Sequence, residues 1–492
     1  MSDECPVYPG GTVGVHDPRY QTLIRGFNLR WVGAPQFIQV CGDTSQVVQT
    51  VQNAVSSNLR ITVRSGGHCY ENFSVGNDGG VIVDMAPMNR VYYDDAMEAY
   101  CIEAGCTLWN VYWNLYKEYD AVIPGGSCYS VGAGGHITGG GYGLLSRKYG
   151  LTVDWLYGVE IVVVDKAGQA SAVIVTADST NSSDLDLLWA NKGGGGGNFG
   201  IVTRFFFREL PPAPPEAYVA NLAWNWSSMT QDQFTMLVQR YGSFLQQNSA
   251  PGSPFDGLFA LLHLTQQAAS QITLTAQYVG DQPALLEDFI EFINGDGRTG
   301  QIVPQTHAVG RHFFPMRTND VTMLPWLYAT QTFDGSGPNQ RGKYKSAYMN
   351  QPFPDAQIAT MWTWLSDTAF SNPQALLQVD SYGCAINAVA PGDTAVAQRS
   401  SIMKLQYQTY WTTEAETAAN LDWINNFYVA MYGPDGPVPD GTMDGCYVNY
   451  PDCDLKNWAY LYYLDNYPRL QQTKAAWDPN NVFNHAQSIQ LP

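Results

Sequence analysis

The sequence predicts a two-domain α+β protein, and three observations carry that prediction. The chain has 492 residues, more than one ordinary domain holds. Strand and helix signals alternate over residues 1–210. After a break at Pro211-Pro212-Ala213-Pro214-Pro215, strand pairs with helices between them take over, the pattern of an antiparallel sheet covered by helices. Apolar residues make up 45% of the chain, with 30 Tyr, 14 Trp and 20 Phe. That supplies a core and leaves aromatic surface to line a cleft.

The elements follow in order. Ser45 is placed to cap a helix carrying Val47, Val48, Val51 and Val55. A short strand, Leu59 to Val63, runs into a turn at His68. Val81-Ile82-Val83-Asp84 reads as a buried strand. Thr107 caps a helix with Leu108, Val111, Tyr112 and Leu115 on one face. Val159 to Val164 is a β-branched run, which Asp165-Lys166-Ala167-Gly168 turns into a second strand from Ala170 to Val175. Leu185, Leu188 and Trp189 mark a short helix before a glycine run. Beyond the prolines, Gln231 to Gln247 is an amphipathic helix with Phe234, Leu237, Val238, Tyr241, Phe244 and Leu245 on its apolar face. Leu258 to Leu264 and Ile272 to Val279 read as neighbouring strands, and Leu285 to Ile293 as a helix. Leu376 to Asn387 and Met403 to Trp411 are further strands. Leu421, Ile424, Phe427, Tyr428 and Met431 form another helical stripe. The first domain is assigned to residues 1–210 and the second to 211–440.

Charge and composition exclude several classes. A net charge of −19 opposes nucleic acid or an anionic membrane as partner, since both need clustered Lys and Arg. No apolar run approaches the roughly 20 residues of a membrane span. Met1-Ser2-Asp3-Glu4-Cys5-Pro6 lacks a basic segment followed by an apolar one, so no signal peptide is expected, and cytoplasmic and exported locations both stay open. The nine cysteines (5, 41, 69, 101, 106, 128, 384, 446 and 453) are odd in number and irregular in spacing. They read as mostly small buried hydrophobes, with reduced thiols favoured over a Cys446–Cys453 bridge. No metalloprotease helix, cysteine–histidine array or G-x-S-x-G elbow is present, and no metal site is expected.

Chemistry concentrates in glycine-rich segments. Arg64-Ser65-Gly66-Gly67-His68 and Gly125-Gly126-Ser127-Cys128 each put a nucleophilic side chain beside a glycine turn. The second continues to Gly143 with further glycines, a density suited to backbone wrapped around a pyrophosphate or a flat ring. A third segment, Gly193 to Gly197, runs through Asn198-Phe199-Gly200 into a strand. It is neither G-x-G-x-x-G opening a helix nor a Walker lysine motif, so a nicotinamide site is disfavoured.

Together these segments resemble the berberine-bridge-enzyme-like branch of the vanillyl-alcohol oxidase superfamily, its bacterial tailoring oxidases above all. The family's R-S-G-G-H turn is matched by Arg64 to His68. Its P-G-G-x-C and V-G-x-G-G-H-x-x-G-G-G-Y-G motifs are matched by Pro124 to Gly143, and G-G-G-G-N-F-G-I-V-T by Gly194 to Thr203. Tyr447, Asn449, Tyr450, Asp452, Arg469, Leu470, Lys474, Trp477 and Phe483 match its tail, which implies that residues 441–492 return to the FAD-binding domain. The resemblance implies a two-domain vanillyl-alcohol-oxidase-type fold and FAD bonded at its 8α-methyl carbon to His68 and at C6 to Cys128. Besides these two, the implied cofactor contacts are Arg64, Ser65, Gly66, Gly67, Gly125, Gly126, Ser127, Val131, Gly132, Gly134, Gly135, His136, Gly139, Gly140, Gly141 and Gly143. The third motif and the tail add Gly197, Asn198, Phe199, Gly200, Ile201, Val202, Tyr447 and Asn449.

The resemblance also implies an oxidase. Two covalent bonds would raise the flavin's reduction potential and favour hydride transfer from an alcohol. Tyr450 is expected as the base, its phenol lowered from about 10 by a neighbouring donor. Tyr382 would lower that value further or act in a second step, and Tyr142 would position substrate. Val131, three residues after Cys128, would leave room for O₂ and imply H₂O₂ as product. The expected substrate is an alcohol or hemiacetal carbon of a sugar or glycosylated natural product. Oxidation of mono- or oligosaccharides to aldonolactones, and C–H or ring-forming oxidation of an alkaloid or polyketide, remain alternatives, as does a flavin carrier without turnover, against which the three tyrosines argue.

Overall fold

The computed structural model describes residues 8, 10–306 and 321–492. Three sheets organise these residues. The first has strands Gly11–Gly14, Phe37–Val40, Val81–Asp84 and Ile61–Arg64 in that spatial order, parallel except at the first pair. The second is antiparallel, in the order Val91–Asp94, Ala99–Glu103, Ile201–Phe207, Gly158–Val164, Ala170–Thr176. The third has seven antiparallel strands. They run Thr322–Pro325, Glu216–Asn225, Gln271–Tyr278, Leu258–Thr265, Leu376–Ser381, Met403–Trp411, Arg341–Met349. No helix among the described residues is long and apolar enough to cross a membrane.

Alternation along Met403–Trp411 explains how the large sheet is used. Leu405 and Tyr407 point to one face, where Tyr407 meets Phe427 and Tyr428 of helix Thr417–Tyr432 at 5.2 and 5.4 Å between ring centroids. Lys404, Gln406, Gln408 and Tyr410 point to the other. Helix Gln231–Asn248 buries all six residues of its predicted apolar face.

Local details depart from the sequence reading in a few places. Helix Thr44–Ser56 is capped by Asp43, whose carboxylate accepts the Gln46 N–H at 2.9 Å. Ser45 lies inside the first turn and donates to that carboxylate instead. The strand expected to reach Asn387 stops at Ser381. Gly383 turns the chain at φ +95°, and a Cβ there would meet the Ser249 side chain at 2.7 Å. The proline break is no free tether, because Val122 and Ala213 N–H groups bond Pro211 and Asp120 carbonyls across it. Thr107 does cap helix Leu108–Tyr119, in a reciprocal box with Asn110. Every described cysteine is outside a disulfide, Cys446 and Cys453 included; Cys5 lies outside the described residues.

The C-terminal segment packs back on the third glycine turn. The buried Lys474 donates to the Asn198 and Phe483 carbonyls and to Asp478, each at 2.6 Å. Tyr463 Oη donates to the Gly194 carbonyl, and Asn198 Oδ1 accepts the Ile489 N–H.

Candidate active site

A cleft of about 310 Å³ runs between the glycine turns and the seven-stranded sheet. Its glycine wall is held by close backbone contact. Strand Ile61–Arg64 delivers the first turn, and the buried Arg64 guanidinium pairs with Asp84 and donates to the Leu23 and Arg25 carbonyls. Ser65 Oγ donates to the Ala104 carbonyl at 2.5 Å. A Cβ on Gly66 would come within 2.3 Å of Gly132 N, so the first two turns touch only because both residues are glycine. His68 stacks on Phe27 at 4.1 Å, and its Nε2 lies 2.8 Å from Ser130 Oγ, two residues beyond Cys128. His68 and Cys128 thus face one cleft although 60 positions separate them.

Ser127, Val131, Gly134, Gly143, Gly197, Gly200, Ile201, Val202, Tyr447 and Asn449 line the cleft as expected, with Gly126, Gly135, His136 and Asn198. Gly135 is exposed to it, and a Cβ there would meet no protein atom within 4 Å. Burial holds the His136 imidazole down at about 4. It is therefore neutral, and Nε2 accepts the Gly126 N–H at 3.1 Å. Six predicted residues do not reach the cleft wall. Gly125 is covered by Tyr112, Gly139 by Asn449, Gly140 by Val396 and Gly141 by Thr152. Phe199 is buried under the third turn. Tyr382 is wholly buried, with its hydroxyl donated to the Gln398 carbonyl at 3.1 Å, which leaves that oxygen out of reach of a substrate.

The sheet wall carries the ionisable groups. Lys404, fully buried, donates to Asp380 Oδ2 at 2.5 Å and to Tyr450 Oη at 3.0 Å. Its ammonium lies 4.3 to 5.6 Å from the ring centres of Tyr450, Tyr142 and Tyr447. Asp380 also accepts from Gln378, and both line the cleft. Gln406 donates to Tyr70 Oη, and Gln408 donates to Gln378 and Gln406. Tyr142 presents its ring to the cleft but donates its hydroxyl to the Ser381 carbonyl at 2.6 Å. Burial pushes the Tyr450 phenol well above its ordinary value, with Tyr70 and Asp380 adding to the rise, and it lowers Lys404. The expected donor is present, yet desolvation outweighs it and the phenol moves up, not down.

Lys404, Asp380, Gln378 and Tyr70 escaped the sequence reading. A signal was there: Lys404, Gln406 and Gln408 alternate with Met403, Leu405 and Tyr407 along one strand. At the far end, His485 stacks on Phe73 at 4.5 Å.

Comparison with known proteins bears on this geometry. Residues 35–169 match the family described as FAD binding domain, and residues 446–490 match the one described as berberine and berberine like. Aclacinomycin-N/aclacinomycin-A oxidase of Streptomyces galilaeus is 40% identical, over 97% of this chain and 89% of its own. The chain is a berberine-bridge-enzyme-like FAD-linked oxidoreductase. Hexose oxidase of Chondrus crispus is 39% identical, over 97% of this chain and 94% of its own. A solved glycopeptide hexose oxidase in complex with teicoplanin superimposes with a TM-score of 0.90 at 36% identity, covering 99% of each chain. The berberine-bridge-enzyme-like chain thus binds FAD and works as an oxidase, in a vanillyl-alcohol-oxidase-type fold. The cleft has the features such a cofactor needs: backbone is exposed at Gly135 and Gly196, where N–H groups could meet phosphate oxygens, and His68 and Cys128 line the same cleft.

Proposed function

We propose that this oxidase takes an alcohol or hemiacetal carbon of a sugar or glycosylated natural product, with FAD tethered to His68 and Cys128. FAD, when bound, would supply the hydride acceptor, with O₂ as the final oxidant giving H₂O₂. Tyr450 as phenolate removes the proton from the substrate hydroxyl as hydride leaves the same carbon. The Lys404 ammonium, 3.0 Å from Tyr450 Oη, stabilises the phenolate by a charge-assisted hydrogen bond. Asp380 holds Lys404 in place. Tyr142 contributes its ring as a wall, since its hydroxyl is committed. Val131 lines the cleft three residues after Cys128, and its small side chain supports O₂ as the acceptor.

The observation that carries this reading is the Lys404–Tyr450 contact facing the same cleft as His68 and Cys128. The sugar class is supported by the polar wall of Gln378 and Asp380 and by what the related hexose and glycopeptide oxidases act on. We further assign residues 1–210 and 441–492 to the FAD-binding domain and 211–440 to the substrate domain. Two experiments test the proposal. Acid-precipitated protein should stay yellow, and the His68→Ala, Cys128→Ala double variant should release its flavin; a parent whose pellet is colourless refutes the tethers. A peroxide-coupled screen of hexoses, oligosaccharides and glycosylated antibiotics should return substrates, and activity on aglycones alone overturns the sugar assignment.

A further inference from the structure

A cluster of buried charges lies beside the cleft and takes no part in the chemistry above. Lys343 Nζ bonds Glu71 Oε1 at 2.7 Å and Asp452 Oδ1 at 2.5 Å, while Lys345 Nζ bonds Asp452 Oδ2 at 2.6 Å. These four side chains are between 0% and 4% exposed. Only Asp454, 3.0 Å from Lys343, reaches solvent. The second Glu71 oxygen is buried without a hydrogen-bond partner. Such a cluster is a poor source of stability, because removing four charges from water offsets most of their attraction. Its value lies in geometry.

The charges sit next to the tyrosines of the cleft. Glu71 follows Tyr70. Lys343 and Lys345 flank Tyr344, on which Tyr70 stacks at 3.5 Å and 11°. Asp452 lies two residues after Tyr450. Lys343 and Lys345 belong to edge strand Arg341–Met349, which pairs with the strand carrying Lys404, Tyr348 standing opposite Lys404. Adjacent strands therefore grip the Tyr450 segment at two points, Asp452 and the Tyr450 hydroxyl. Two hydrogen bonds fix Asp452 further: its N–H donates to Tyr462 Oη at 3.0 Å and its carbonyl accepts from Gln487 Nε2 at 2.7 Å.

We propose that the Glu71–Lys343–Asp452–Lys345 cluster is a positioning device that sets the Tyr450 hydroxyl against Lys404. This rests on Tyr450 being the base. Lys343 touches neither substrate nor cofactor and acts through the Asp452 turn.

The test compares Lys343→Met, Lys343→Arg and Glu71→Gln in the flavin-loaded enzyme, with and without Tyr450→Phe. Crystal structures give the Lys404–Tyr450 separation, and peroxide release with D-glucose, maltose and teicoplanin gives kcat and KM. In Lys343→Met the separation should open beyond about 3.5 Å, out of hydrogen-bond range. kcat should fall about 10-fold at a KM within about 3-fold, the size of a lost charge-assisted bond. Its rise with pH should move to higher pH. Lys343→Arg should restore both. In the Tyr450→Phe background Lys343→Met should cost less than about 2-fold more, as expected for residues acting as a unit. An unchanged separation with unchanged kcat, or a loss that adds in full to that of Tyr450→Phe, overturns the proposal. If Lys343→Met fails to fold, Glu71→Gln, isosteric but without the charge that holds Lys343, decides on the same readouts, with the separation and kcat shifting in the same direction. Full turnover by Tyr450→Phe alone would instead overturn the base assignment and leave the separation to judge the cluster.

Discussion

The glycine wall of the cleft takes Ser65 to His68 and Gly126 to Cys128 from runs of adjacent residues, whereas the sheet wall takes Tyr142, Asp380 and Tyr450, with Lys404 bonded behind the last two, from distant parts of the chain. The first wall works through backbone and is rigid because glycines let two turns touch. The second works through side chains whose protonation burial controls. The difference separates holding from chemistry. Changes in the glycine wall should act on stability and cofactor retention, and changes in the sheet wall on turnover.

Four predictions put that division at risk. Arg64→Met should cost about 3 kcal/mol of stability, because Asp84 is left buried without its partner. Thermal melting checks this, and a normal melt with lost turnover would erase the division. Tyr450→Phe should lower kcat about 100-fold while melting normally. Tyr382→Phe should change kcat about 3-fold or less, since its hydroxyl already bonds a carbonyl. Rapid-mixing measurements of flavin bleaching under anaerobic conditions separate the two.

The third prediction concerns pH. The base must be deprotonated and burial raises its phenol above the ordinary value of about 10, so protonation dominates near neutrality. Turnover should therefore rise with pH, about tenfold per unit from pH 6 to 9. Lys404→Met should move the rise to higher pH and lower kcat about 10-fold, the loss of one charge-assisted bond. A flat profile in the parent would remove Tyr450 as base. A modest effect, on KM alone, is expected at Gln378→Leu, which should raise KM about 3- to 10-fold with kcat nearly kept. Steady-state kinetics on the best sugar checks it, and an unchanged KM would take Gln378 out of substrate contact.

Legibility followed the same division. The glycine turns, the His68 and Cys128 tethers as a proposal, and most strands could be read because each rests on neighbouring residues and on periodicity. Val81–Asp84 and Met403–Trp411 form at the bounds expected. That Phe199 and Gly139 to Gly141 lie behind the cleft wall could not be read, since a motif does not say which of its residues face inward and which support the turn from behind. That Tyr382 lies off the cleft wall was hidden for a related reason: its motif carries no record that the Gln398 carbonyl, 16 residues on, accepts its hydroxyl hydrogen bond. Lys404 was missed because a lysine inside a strand is ordinarily a solvated edge residue.

By itself the sequence determined the parts that local backbone preference and side-chain alternation can encode: the strands, the caps, the turns and the family that those turns define. Tertiary structure alone decided the pairing of Lys404 with Tyr450, the upward shift of the phenol and the charge cluster joining Glu71, Lys343 and Asp452. The physical reason is that desolvation and Coulomb attraction depend on distances through space, and strand register and chain crossings set those distances between residues far apart in the chain.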